Sequence, residues 1–328
     1  MEFSNIRFLA VVAVVVLHVS SLYMIPYYET PLSSDWLVAN IFESMTRWCV
    51  PIFVIISGYF LLDKEESISH FFNKRASKII IPIIFWSFFY ILWATFIQLR
   101  SGNEIGIKQI ISPLIFGKPY YHLWYVFMIP FLYVFTPYLR KLLKTISKKE
   151  FFYLVLIVFS YEVINQFVSY FINPVKYNIF INTFFMYVGY FLAGGYLKIY
   201  GMPSIKNKYL VIGYVLSTAI TAYGVYYFKN DYFYTYLSPT IVLQSFLIFF
   251  YLINNFKKNI AGMSEILASL SFGVYLVHPF FRDIVSHIIK PEFLHSILYI
   301  PTVSFLIIII SYIFCFIVDK VPHLRKII

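Results

Sequence analysis

Runs of about twenty apolar residues recur along the chain, and they constrain its fold more than any other feature. A helix of that length spans a hydrocarbon core about 30 Å thick, where lipid offers the backbone no hydrogen-bond partner. The sequence therefore predicts an all-α integral membrane protein, with residues 1–328 forming a single transmembrane domain. The ten runs lie near residues 5–24, 36–62, 77–98, 122–143, 151–172, 178–197, 209–228, 238–255, 264–289 and 297–318.

The composition excludes an ordinary soluble domain. Apolar residues make up 60% of the chain and charged residues only 12%, whereas a soluble domain has about 25% charged residues. The connections between the runs are too short to form a separate soluble domain. Cys49 and Cys315 each lie within an apolar run, so neither a disulfide framework nor a metal site is expected.

The net charge of +11 is a matter of membrane topology rather than nucleic-acid binding. Lys and Arg are dispersed at the ends of the apolar runs, and most of them fall in alternate connections, which are cytoplasmic by the positive-inside rule. Both termini are then cytoplasmic, which requires an even number of crossings. Abundant Ile, Phe, Tyr, Lys and Asn fit an AT-rich bacterial genome. We therefore expect a multi-pass protein of the bacterial cytoplasmic membrane, with the lipid bilayer as a partner and no nucleic acid.

The first apolar run carries two ionisable residues, Arg7 and His18. Eleven residues correspond to about three helical turns, so both side chains share one face and lie about 16 Å apart along the axis. Arg7 is at the predicted cytoplasmic boundary, where it could also be a simple topology anchor. His18 lies near the middle of the membrane, where a titratable group is costly and indicates function more often than packing.

Charged residues recur in two further runs. Glu43 and Arg47 are spaced for an ion pair on one helix face, which is either part of the site or structural. His278 and Arg282 also lie one turn apart, and His278 either orients a hydroxyl or binds carbonyls freed by Pro279. Trp124, beside His122 and Tyr125, is compatible with sugar stacking, although an aromatic belt at the outer interface is favoured.

Five segments in this order resemble the acyltransferase family 3 membrane proteins: Arg7-x10-His18, VPIFVIISGYFLL, Lys74-Arg75-x-x-Lys78-Ile-Ile-Ile-Pro82, LWYVFMIPFLYVFTPYLR and SFGVYLVHP. The resemblance covers essentially the whole chain. It implies transfer of an acyl group, usually acetyl, from cytoplasmic acyl-CoA to a hydroxyl of a cell-envelope glycan. Acetyl-CoA would be a co-substrate rather than a bound cofactor, and the acceptor would be a cell-surface polysaccharide or a lipid-linked sugar.

On this interpretation His18 is the general base, and buried charges beside it stabilise the reacting groups. The basic segment departs slightly from the family pattern, since Lys78 stands where members often have a second arginine, and a lysine lacks the bidentate fork. The competing hypothesis is an exporter of an envelope polysaccharide that performs no acyl transfer. The predicted site residues are His18, Arg47 and Glu43 for catalysis, Arg7, Arg75 and Lys78 for the CoA phosphates, and His278, Arg282 and Trp124 for the acceptor.

Overall fold

The computed structural model describes residues 2–24, 33–172, 185–256 and 263–328. It is 82% helical, and no strand occurs within those ranges. The α-helices are α1 Glu2–Met24, α2 Ser34–Thr46, α3 Cys49–Leu61, α4 Ile68–Arg100, α5 Ile107–Ile115, α6 Trp124–Leu143, α7 Lys148–Phe171, α8 Val188–Tyr200, α9 Asn207–Phe228, α10 Pro239–Asn255, α11 Met263–Ile288 and α12 Ser296–Asp319.

The membrane character predicted from the sequence is confirmed. Within the described ranges, eight helical segments are long and apolar enough to cross a membrane, and α2 and α3 together form one of them. The remaining two predicted crossings overlap α8 and α11. The total of ten crossings and the cytoplasmic position of both termini stay predictions.

The second predicted crossing, residues 36–62, is not one continuous helix. It divides into α2 and α3 at Arg47 and Trp48. Pro51 explains the break, since it has no N–H and its ring crowds the carbonyl four residues earlier, which is that of Arg47. The nearby Met45 carbonyl accepts hydrogen bonds from the Trp48 indole and the Tyr214 hydroxyl, both at 2.7 Å. The break therefore gives α2 an end at Arg47, inside the bundle.

One helix begins earlier than predicted, one is only partly described, and one short helix is additional. The helix predicted at 77–98 begins at Ile68, because Ser67 caps it by accepting a hydrogen bond from the backbone N–H of His70. The predicted helix 178–197 falls partly outside the described residues, and its described part is α8. The short helix α5 was not predicted, since nine residues are too few to cross a membrane.

Helices α3 and α8 approach each other more closely than other residues would allow. A Cβ atom at Gly58 would lie 1.9 Å from the Phe191 carbonyl oxygen, and one at Gly194 would lie 2.0 Å from the Ile55 carbonyl oxygen. Small residues permit such backbone contact between helices in lipid, where van der Waals packing drives association. Glycine is thus required at both positions.

Helix α1 lies inside the bundle, where it packs against α2, α3, α11 and α12. Its buried side chains include Ile6, Ala10 and Val14, which alternate with more accessible positions. Arg7 and His18 lie on one side of this helix. The candidate site lies along that side of α1.

Candidate active site

His18 lies in the middle of a cluster of aromatic and histidine rings. Its imidazole is 5.2 Å from the His278 ring, measured between centroids, with the ring planes 22° apart. The Tyr121 ring centroid is 4.9 Å away, with its plane inclined at 65° to that of His18. His18 is half-buried, and Tyr121 is 37% exposed. The site is therefore accessible beside Tyr121.

His278 is fully buried in α11 and is held by its own helix. Its Nδ1 atom lies 2.8 Å from the Tyr275 carbonyl oxygen and 3.2 Å from that of Val274. Pro279 has no N–H to offer the Tyr275 carbonyl, four residues earlier. Of the two roles that the sequence leaves open for His278, the structure shows this one: it binds a carbonyl freed by Pro279.

His122 is a third histidine of this cluster, and its ring centroid lies 5.6 Å from that of His278. Its Nε2 atom is 3.3 Å from the Leu276 carbonyl oxygen, which also accepts the Tyr90 hydroxyl at 2.7 Å. The Tyr275 hydroxyl donates in turn to the His122 carbonyl. Because His122 is only 1% exposed, its assignment to an aromatic belt at the interface was wrong.

Arg282 joins the cluster through a fixed ion pair with Asp283, at 2.9 Å. Its guanidinium lies 4.5 Å from the Tyr121 ring centroid and contacts the His18 carbonyl at 3.4 Å. The second Asp283 carboxylate oxygen accepts hydrogen bonds from Trp93 Nε1 at 2.9 Å and from the Tyr120 hydroxyl. Asp283 therefore determines where the Arg282 charge lies.

The predicted ion pair between Glu43 and Arg47 is confirmed. Glu43 is buried and also accepts a hydrogen bond of 2.7 Å from Ser20, two residues beyond His18 on α1. The Arg47 guanidinium lies over the Tyr234 ring, 4.5 Å from its centroid, and is near enough to His18 to interact with it electrostatically. Ser20 and Glu43 thus connect Arg47 with the helix that carries His18, and Arg282 contacts the His18 backbone carbonyl.

Trp124 is half-buried and packs against other aromatic rings of the bundle. Its ring stacks on Tyr187 at 5.4 Å and lies 5.9 Å from Tyr236. Tyr236 is in turn 6.0 Å from the Arg47 guanidinium. A group of aromatic rings therefore connects Trp124 with the charged groups around His18.

A separate basic cluster lies at the end of the bundle predicted to be cytoplasmic. The Glu66 carboxylate accepts hydrogen bonds from Arg75 at 2.9 Å and from Arg140 at 3.0 Å. The Phe71 ring lies under both guanidiniums, 3.9 Å from that of Arg75 and 4.8 Å from that of Arg140. Although partial burial opposes a charge on Glu66, the hydrogen bonds from Arg140 and Arg75 hold its pKa below the usual value.

The other two predicted phosphate-binding residues are more accessible. Arg7 is exposed, and its guanidinium lies 5.4 Å from the Phe60 ring. Arg7 and Arg75 both interact electrostatically with Tyr133, so they belong to the same part of the bundle. Lys78 is exposed, and the described part of the chain offers it no ion pair.

Neighbouring rings connect Arg7 with His18 along α1. Arg7 interacts electrostatically with Tyr125, whose ring lies 5.5 Å from that of Tyr275. The Tyr275 ring is 6.0 Å from His278, which adjoins His18. Side chains of α6 and α11 thus form a continuous row beside α1, from Arg7 to His18.

Comparison with protein-family models gives a match to the acyltransferase domain of family 3 over residues 2–316, nearly the whole chain. The chain belongs to acyltransferase family 3. This confirms the family suggested by the five sequence segments, and with the apolar helices it makes the protein a multi-pass membrane acyltransferase. No curated protein and no solved structure shows a match to the chain.

Within this acyltransferase, the predicted residues fall into groups. His18, His278 and Arg282 adjoin one another, with the Glu43–Arg47 pair and Trp124 nearby, while Arg75 lies in the basic cluster. Among the described residues, no group of three His, Cys, Asp or Glu side chains is arranged to hold a metal ion. Five further residues of the two clusters were not predicted from the sequence to be site residues: Tyr121, His122, Asp283, Glu66 and Arg140.

These omissions have a common cause. Arg140 was counted only as one of several positive charges near the end of a crossing, and His122 only as one of several aromatic residues at an interface. Their partners are far away in sequence: Glu66 for Arg140 and Leu276 for His122. Spacing along a single helix could not reveal such contacts, whereas it did indicate Glu43 with Arg47.

Proposed function

We propose that this acyltransferase moves an acetyl group from cytoplasmic acetyl-CoA to a hydroxyl of a cell-surface polysaccharide or lipid-linked glycan in the bacterial cytoplasmic membrane. His18 is the general base. The observation that carries the proposal is that, within the described residues, neither ring nitrogen of His18 has a hydrogen-bond partner, although the ring packs against His278 and Tyr121. An imidazole left free in such a place is suited to bind and deprotonate a substrate.

The donor would bind at the basic end of the bundle. Arg7, Arg75 and Lys78 would contact the CoA phosphates, and Arg140 is close enough to take part. Arginine fits phosphate with two parallel hydrogen bonds, and lysine acts as a point charge. The pantetheine arm would then run along α1, since the rise of the helix separates Arg7 from His18 by about 16 Å.

At the reacting centre, His18 would accept the proton of the acceptor hydroxyl while that oxygen attacks the thioester carbonyl. The new C–O bond forms, the C–S bond breaks, and His18 returns the proton to the departing sulfur. Arg47 would stabilise the negative charge that develops on the carbonyl oxygen. Glu43 holds Arg47 in place, and Ser20 holds Glu43 near His18.

The acceptor would approach beside Tyr121, where the histidine cluster is accessible. Arg282 borders this position, and His278 lies behind it against the His18 ring. The rings of Trp124 and its neighbours provide an apolar surface of the kind on which sugars stack. These contacts support a hydroxylated acceptor.

The test uses membranes containing the wild-type protein or His18→Ala, supplied with acetyl-CoA carrying a labelled acetyl group. We expect label in the glycan fraction with the wild type, and none above background with an equal amount of His18→Ala. Mass spectrometry of the glycan would show one acetyl group per modified sugar. Unchanged labelling with His18→Ala would refute the role of His18.

The alternative function, export of an envelope polysaccharide, gives different results. An exporter would neither consume acetyl-CoA nor change the mass of the glycan. Its deletion would leave polymer of unaltered mass inside the cell. Measuring free CoA released by wild-type membranes therefore separates the two functions.

A further inference from the structure

One nitrogen of His278 is buried without a partner among the described residues, namely Nε2. The other, Nδ1, lies 2.8 Å from the Tyr275 carbonyl oxygen. A carbonyl oxygen only accepts hydrogen bonds, so Nδ1 carries the hydrogen, and Nε2 of the neutral ring has a free lone pair. Tyr275 and Pro279 thus impose one tautomer on His278, with Nε2 as a hydrogen-bond acceptor.

Most neighbouring donors are already engaged. The Tyr275 hydroxyl donates to the His122 carbonyl, and His122 Nε2 faces the Leu276 carbonyl. The Arg282 guanidinium is directed to Asp283 and to the His18 carbonyl. The remaining group beside the His278 ring is the imidazole of His18, at 5.2 Å between centroids with nearly parallel planes.

We propose that His278 is a positioning residue for His18: its Nε2 atom accepts a hydrogen bond from one ring N–H of His18, leaving the other nitrogen to face the substrate. No hydrogen bond joins the rings in this structure, so the proposal requires the His18 side chain to rotate. Catalytic hydrogen bonds are often long before substrate binds. His278 itself is fully buried, so we infer that it acts on the acceptor through His18.

This inference rests on the proposed function, in which His18 takes the acceptor proton. When that proton arrives, both nitrogens of His18 carry hydrogen. The hydrogen bond to His278 then stabilises the imidazolium, and the proton passes on to the thiolate sulfur without reaching His278. The pair resembles other catalytic arrangements in which a third group orients the base.

Two substitutions of His278 separate positioning from helix capping. In His278→Asn, the side-chain amide takes the place of Nδ1, so the hydrogen bond to Tyr275 is retained and the acceptor is lost. In His278→Gln, the amide reaches the position of Nε2, so an acceptor oxygen is restored while the bond to Tyr275 is lost. His287→Asn is the matched control, because His287 is exposed on the same helix.

The measurement is acetyl transfer per folded protein in membranes, with kcat and KM for acetyl-CoA determined separately. We expect kcat of His278→Asn to fall by at least about tenfold, the effect of one charge-assisted hydrogen bond, with KM unchanged. His278→Gln should retain more activity than His278→Asn, and His287→Asn should match the wild type.

Equal or higher kcat in His278→Asn than in His278→Gln would overturn the inference, since capping alone would then explain His278. A change in KM with unaltered kcat would also overturn it. Neither result would affect the proposed function, provided that the wild type transfers acetyl. Failure of the wild type to consume acetyl-CoA would instead refute the proposed function itself.

Discussion

The basic cluster and the histidine cluster both place ionisable groups inside one helical bundle, but they differ in how well those groups are paired. In the basic cluster, Glu66 bonds both Arg75 and Arg140, and Phe71 covers the two guanidiniums. In the histidine cluster, nitrogens of His122 and His278 lack partners within the described residues. Buried polar groups are normally hydrogen-bonded, and exceptions call for an explanation.

This difference indicates different tasks. A cluster whose charges are satisfied can hold the protein together and can attract a phosphate by exchanging one anion for another. A cluster with unused nitrogens is poised for a proton. Substitutions should therefore affect substrate affinity and stability in the first cluster, and turnover in the second.

The largest effect is expected from His18→Gln, which keeps the size and polarity of the side chain but removes the base. General acid–base catalysis contributes about 10² to 10⁴ in rate, so kcat should fall by that amount with KM for acetyl-CoA nearly unchanged. Steady-state release of CoA by purified protein in lipid vesicles measures both constants. A loss of affinity with normal kcat would contradict the difference between the clusters.

Substitution of Arg75 or Arg140 should act on donor affinity. A hydrogen bond to a charged group contributes about 1.5–3 kcal/mol, so removing one should raise KM for acetyl-CoA by about 10- to 100-fold. The measurement is KM for acetyl-CoA in Arg75→Ala and Arg140→Ala, compared with kcat in the same preparations. If Arg140→Ala lowered thermal stability alone, Arg140 would be structural and would not contact the donor.

Asp283→Asn should have an intermediate effect in the histidine cluster. The amide retains the size of the carboxylate but weakens its hold on Arg282, because the ion pair of 2.9 Å becomes a neutral contact. We expect a fall of about tenfold in kcat/KM for the acceptor, in keeping with one weakened charge-assisted bond. Titrating the acceptor at saturating acetyl-CoA measures this, and an unchanged value would show that the orientation of Arg282 is immaterial.

The smallest effect concerns the pH dependence of stability in the basic cluster. Despite burial, the arginine hydrogen bonds lower the pKa of Glu66, so its contribution to folding stability is present above the unfolded pKa and is lost as pH falls through the folded one. Thermal unfolding of Glu66→Gln should therefore vary less between neutral and acidic pH than that of the wild type. An identical pH dependence in both proteins would mean that Glu66 stabilises neither arginine.

Much of this arrangement follows from local patterns in the sequence. The apolar runs predicted the helices. Helical periodicity placed Arg7 and His18 on one helix face, and it predicted the ion pair of Glu43 with Arg47. The break at Arg47 and Trp48 was missed because an apolar run continues through it, and Pro51 acts on a carbonyl four residues earlier. The length of an apolar run indicates that a segment lies in lipid, but it does not show where the helix within that segment is broken.

By itself, the sequence determined that the chain enters a membrane and that His18 is among its few ionisable residues within the apolar runs, since length and apolar content govern insertion. The tertiary structure decided which groups meet His18. Tyr121, His278 and Arg282 come from segments more than a hundred residues away, and only helix packing brings them together. The tautomer of His278 is likewise determined by the Tyr275 carbonyl, which Pro279 leaves without a backbone donor, so it depends on hydrogen-bond geometry.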